Sequence, residues 1–167
     1  MSIFEDAIEA LGYFRQGTIA EAANIPDAEW DYRPHPDAKS VRELVKHIVQ
    51  ATAMLVGEAA HPEGDFQRQS PPEHMQEHAG DLAGVETAAE LRSALEQTLG
   101  EATQRVREAG EDHMMTGIRR FDGGVWTRTT YVFYAAGHED YHRGQLASYA
   151  RALGLVPALT QRIHGDA

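Results

Sequence analysis

Apolar residues recur three and four positions apart in four stretches of this chain, the spacing of helices that bury one face. In the first stretch, residues 3–22, Ile3, Phe4, Ala7, Ile8, Leu11 and Phe14 fall on one stripe. Asn24, Pro26 and Asp27 end it, and PDAEWDYRPHPDAK reads as a connector. Ser40-Val41-Arg42-Glu43 then forms a capping box, in which serine and glutamate each satisfy a backbone N–H at a helix start. It opens a second helix whose apolar face is Val41, Leu44, Val45, Ile48, Ala51 and Leu55. Residues 61–85 show no clear period and read as a long loop with room for one short helix.

Thr87-Ala88-Ala89-Glu90 is a second capping box, opening a third helix striped by Leu91, Leu95, Leu99, Ala102 and Val106 and ended by Gly110. Residues 111–126 are mixed; FDGG suggests a turn, beside a short extended segment. A fourth helix starts at Thr127 or Thr129 and runs to about Leu153, where Gly154 and Pro157 stop it. Four such helices with two long connections predict an all-α four-helix bundle, one domain spanning residues 1–167.

Composition narrows what such a bundle does. A net charge of −11 disfavours nucleic acid and anionic membranes, which are bound through clustered Lys and Arg. No stretch reaches the roughly 20 apolar residues of a membrane span, and the early acids of MSIFEDAIEALGYF do not resemble a secretion signal. With no cysteine there is no disulfide and no thiolate metal site, which fits the cytoplasm; any thiol chemistry needs an external thiol.

Nine histidines remain to be placed. His138 and His142 form H-E-x-x-H with Glu139, and both fall on the face carrying Ala135, Leu146, Tyr149 and Leu153. Imidazoles one turn apart can meet one ion, and buried imidazoles need partners. Two buried histidines bonded to Tyr or Glu are the plainer alternative. A zinc protease needs a third ligand downstream, where there is only His164 and no glutamate; Gln145 replaces the glycine of the longer protease motif. A third ligand from upstream fits better: His47 lies between Leu44 and Ala51 on the second helix's apolar face, and bundles build metal sites from facing helices. His74 and His78, in the polar setting PPEHMQEH, read as surface residues able at most to bind a metal weakly. His35, His61, His113 and His164 stand near chain or helix ends, where solvation is the default.

SVRELVKHI around His47, HEDYHRGQL around His138 and His142, and the closing RALGLVPA together resemble the DinB-like metalloprotein superfamily. The resemblance implies an up-down-down-up bundle, a divalent ion held by His47, His138 and His142, and a homodimer. Nickel and zinc are the first metals it suggests, with iron and manganese next. It implies either a metal-dependent hydrolase or a transferase using a low-molecular-weight thiol; a non-catalytic metal-binding stress-response module is the alternative. Three neutral imidazoles leave an ion its full charge for activating water or binding a thiolate, so the ligands alone do not choose.

Around those ligands, Glu139 could be a base or a partner to a ligand, although a solvated or dimer-facing carboxylate is the plainer reading. Glu43 could orient His47, in competition with its capping role. Arg143 fits a structural ion pair. Gly144 suggests close helix packing, since glycine costs a helix about 1 kcal/mol. Tyr134 and Tyr149 are the tyrosines expected to line a pocket.

Overall fold

The computed structural model describes residues 2–165. Its helices are α1 (Ile3–Asn24), α2 (Val41–Ala60), α3 (Pro71–Ala79), α4 (Ala88–Ala109), α5 (Glu111–Met114), α6 (Arg128–Ala152) and α7 (Ala158–His164); strands β1 (Gly117–Arg119) and β2 (Val125–Thr127) precede α6. Both expected capping boxes form. Ser40 Oγ accepts from the Glu43 N–H while Glu43 returns a carboxylate oxygen to the Ser40 N–H, and Thr87 and Glu90 do the same. Thr127 caps α6 by accepting from the Thr130 N–H. At the other end, Gly154 takes a positive φ of 79°, as a C-terminal glycine cap does.

The four long helices are α1, α2, α4 and α6. Two apolar clusters fix their directions. One joins the beginnings of α1 and α6 to the ends of α2 and α4, through Phe4, Leu11, Leu55, Val106 and Tyr131. The other joins the end of α1 and of α6 to the beginnings of α2 and α4, through Ala22, Val41, Leu44, Leu91 and Leu146. Helices α1 and α6 therefore run one way and α2 and α4 the other: the fold is an up-down-down-up four-helix bundle. No helix among the described residues is long and apolar enough to cross a membrane.

Between the two apolar clusters lies a buried polar layer. The Arg15 guanidinium on α1 donates to both oxygens of Glu139 on α6, at 2.5 to 2.9 Å. It also donates to the Leu95 carbonyl and to Thr98 Oγ1 on α4, while Thr52 Oγ1 on α2 donates to Glu139 at 2.7 Å. Both charged side chains are fully buried. A buried ion pair holds a structure only when its remaining donors and acceptors are met, as they are here by the two other long helices.

Residues 61–85 are more ordered than the missing apolar period suggests. Helix α3 and a 3-10 turn at Gly80–Gly84 fill much of them. Ser70 starts α3, its N–H and hydroxyl both donating to Glu73, with Pro71 in the first helical position. The extended segment before α6 is a short antiparallel hairpin, pairing Ile118 with Trp126 across the FDGG turn.

Candidate metal centre

The α2–α6 seam brings the three predicted rings together. His47 follows buried Leu44 and Val45 on α2, and His138 and His142 sit one turn apart on α6. His138 Nε2 lies 3.2 Å from His47 Nε2 and 3.1 Å from His142 Nε2. One ring nitrogen from each of the three lies within 4.8 Å of the other two.

The protonation of this trio follows from its surroundings. Burial, helped by the His142 imidazole and by Lys39, pushes the His47 pKa down to about 4. Burial and the other two rings push His138 down to about 4 as well. Both are therefore neutral at pH 7. The His142 Nδ1–H donates to Gln145 Oε1 at 2.7 Å, so the neutral form of this ring has its bare nitrogen at Nε2, which faces its partners. Facing lone pairs repel unless a proton or a cation lies between them.

The donor set fits a divalent ion. Ligand nitrogens about 2.0–2.1 Å from a metal stand roughly 2.8–3.4 Å apart, between octahedral and tetrahedral angles, and the two His138 pairs are in that range. Imidazole suits zinc, nickel, copper and iron, so the donors do not name the metal.

Two depressions border the rings. One, of about 580 Å³, is lined by Trp126, Thr130, Phe133, Tyr134, Gly137 and Tyr141 together with His138 and His142. The other, of about 430 Å³, is bordered by His47 and by charged residues, among them Arg33, Asp37, Lys39, Glu43 and Lys46.

Several neighbours of the trio differ from expectation. Glu139 is neither solvated nor dimer-facing, because α6 turns it away from the histidines into the Arg15 layer. That role also removes it as a base for protease chemistry. Glu43 serves its capping box and Arg33, not His47. Gly144 has no neighbouring helix against it; a Cβ there would meet nothing within 4 Å. Tyr149 is buried, donating its hydroxyl to the Lys39 carbonyl, whereas Tyr134 does line the aromatic cleft. Arg143 makes the structural pair, bonding Asp140 and lying over Phe14.

The largest correction concerns His74 and His78, which are not on the surface. His74 is fully buried and the His78 side chain 7% exposed. They pack with Glu77 around Glu58 of α2, also fully buried. Glu58 accepts from His78 Nε2 at 2.7 Å, from Arg68 Nε at 2.7 Å and Nη2 at 2.6 Å, and from the Asp65 N–H at 2.6 Å. Burial raises its carboxyl pKa, but those donors more than offset it and hold it far below the ordinary carboxylate value.

The DinB family model matches residues 13–164. The chain belongs to the DinB family. No curated protein sequence matches it. Among solved structures, a DinB-like protein from Bacillus subtilis is similar at 21% identity and TM-score 0.66, covering 89% of this chain and 92% of that one. YfiT from Bacillus subtilis, described as "a probable metal-dependent hydrolase with an unusual four-helix bundle topology", matches at 15% identity and TM-score 0.65, over 91% and 88% of the two chains. A mycothiol-dependent maleylpyruvate isomerase matches at 14% identity and TM-score 0.70; the match covers 87% of this DinB-family chain but 61% of the isomerase. At these identities the likeness is one of fold.

Proposed function

We propose that this DinB-family chain is one metal-binding domain and a metal-dependent enzyme that joins a low-molecular-weight thiol to an electrophile. His47, His138 and His142 hold the ion. The observation that carries this reading is the convergence of three imidazole nitrogens, two of them on rings held neutral, with no carboxylate or fixed cation between them. A divalent ion bound there would act as a Lewis acid and make a coordinated thiol or water far more acidic.

The rest falls to the chain's own residues. Gln145 fixes the His142 ring so that Nε2 points inward. Trp126, Phe133 and Tyr134 give one side of the site apolar walls. Among the described residues, no carboxylate lines that cleft to serve as a base, and Glu139 is committed to Arg15. A thiol, whose acidity a bound ion would raise, needs no such base, because solvent can take its proton. Its sulfur can then bond the electrophilic carbon while the leaving group departs with the bonding pair. The fold shared with a mycothiol-dependent isomerase supports this reading, and the fold shared with YfiT supports hydrolysis as the second one.

The test uses protein purified without a histidine tag and reconstituted with zinc or nickel. About one ion per chain is expected, with metal-dependent conjugation of 1-chloro-2,4-dinitrobenzene to a small thiol such as cysteamine. Turnover of esters without thiol would move the assignment to hydrolysis. Tight metal binding with neither activity would leave a binding module, and a chain that takes up no ion would end the proposal.

A further inference from the structure

The two depressions beside the histidines differ in kind. The one next to His47 is edged by three cations and two carboxylates, a poor host for an apolar group. The one next to His138 and His142 is walled by Trp126, Phe133, Tyr134 and Tyr141. Its volume of about 580 Å³ lies within the roughly 300–1,000 Å³ of small-molecule sites, and its mostly apolar walls meet few polar groups, Thr130 and the two histidines among them.

The walls are fixed before anything binds. Arg120 lies 4.1 Å over the Trp126 ring and is itself held by Asp122. Tyr131 and Tyr134 pack against the same indole, with ring centroids 5.4 and 5.7 Å away. Tyr134 and Tyr141 nevertheless leave 47% and 67% of their surface open.

Gly137 is the residue that keeps the cleft deep. It stands in mid-helix, where glycine costs about 1 kcal/mol relative to alanine, and nothing packs against it: a Cβ would meet no atom within 4 Å. Gly17 and Gly57 differ, since Arg143 and His78 occupy the space a Cβ would need. Gly12 and Gly100 are equally open, but Gly137 alone of these is in the cleft wall, one residue before His138.

We infer that this cleft holds an apolar, ring-bearing portion of the substrate, directly beside the metal-binding nitrogens, and that Gly137 sets the size of ring accepted. The inference rests on the metal reading above and narrows it to aromatic or bulky apolar substrates.

Two probes with the same metal-binding head separate the two claims. Zinc-loaded full-length protein is titrated calorimetrically with acetohydroxamate and with 2-naphthohydroxamate, and zinc content is measured in parallel. The naphthyl probe is expected to bind at least about tenfold tighter, as 1.4 kcal/mol of ring burial requires, and to quench tryptophan fluorescence. Gly137→Phe should bring its affinity down to that of acetohydroxamate, and Tyr134→Ala should lower the preference at least threefold. The tyrosine variant opens the wall instead of filling it, so the inference stays testable should the bulky one perturb α6. Equal affinities in the wild type, or a naphthyl preference that survives both variants, would overturn it while leaving the metal reading intact. A dimeric wild type with no naphthyl preference, made monomeric by Gly137→Phe, would assign the cleft to a second copy and overturn it as well. Absence of zinc would count against the metal reading instead.

Discussion

Two H-x-x-x-H pairs face helix α2 in this protein, and they end in opposite chemistry. His138 and His142 meet His47; His74 and His78 meet Glu58. The two α2 residues are eleven positions apart (58 − 47), about three helical turns, and so share a face. What differs is the group opposite the pair. Opposite α6 stands a third neutral nitrogen, and the cluster's lone pairs point at one another. Opposite α3 stands a carboxylate, and Arg68 already lies against it with two hydrogen bonds, a third reaching Glu77. The second cluster carries its own cation; the first holds its nitrogens face to face and needs a proton or a cation between them. Their glycines agree, since the His78 ring fills the space at Gly57 while the space at Gly137 stays open.

Each cluster should therefore fail in its own readout. Glu58→Ala strands Arg68 and His78 in a mostly buried site, and the cost should approach the about 3–5 kcal/mol of a broken buried pair, read by urea denaturation. Metal content of the folded protein should not change. Acid should act on the same group. The folded pKa of Glu58 lies below its unfolded value, so the unfolded chain binds the extra proton. Its contribution is complete above about pH 4.5 and is lost as pH falls through the folded value, and Glu58→Gln should remove that part of the acid slope. His47→Ala, His138→Ala or His142→Ala should do the reverse. Metal affinity should fall by about 100-fold or more, beyond what losing an outer partner costs, with little loss of stability in the metal-free protein. His74→Ala should retain its ion. A variant that moved both readouts together would merge the two clusters into one system.

The same contrast explains what the sequence could reveal. Helices α1, α2, α4 and α6 bury apolar stripes and carry caps, so pattern alone locates them. His47, His138 and His142 lie on or beside those stripes, and their convergence was readable for that reason. Helix α3 buries its histidines against a carboxylate, a polar face that hydrophobic period cannot register. The available signal was Ser70-Pro71-Pro72-Glu73, a capping box with proline at the helix start. Glu139 was misplaced for a related reason. The sign was Arg15, one turn after Leu11 on an apolar face and in need of a buried anion. Glu139→Gln tests that placement. It should cost about 3–5 kcal/mol, as the buried Arg15 guanidinium loses its counter-charge, and leave metal content unchanged. An equal loss of metal would put Glu139 back at the site.

The smallest expected effect concerns Gln145, and it is the sharpest test of how the first cluster is built. Gln145 touches no other ring of the trio; it accepts the His142 Nδ1–H at 2.7 Å. That bond selects the tautomer with a bare Nε2 and holds the ring in plane. Without it, the neutral ring can carry its proton on Nε2, where it would point at His138. Outer partners of this kind are worth about 10–100-fold in metal affinity. His142 also has α6 packing to orient it, so Gln145→Ala should sit near the lower bound, about tenfold, by competition with a chelating dye. Gln145→Glu keeps an acceptor in the same place and should restore most of the loss. If alanine and glutamate weaken binding equally, Gln145 acts through packing alone, and the inward lone pair of His142 must be fixed by the ion itself.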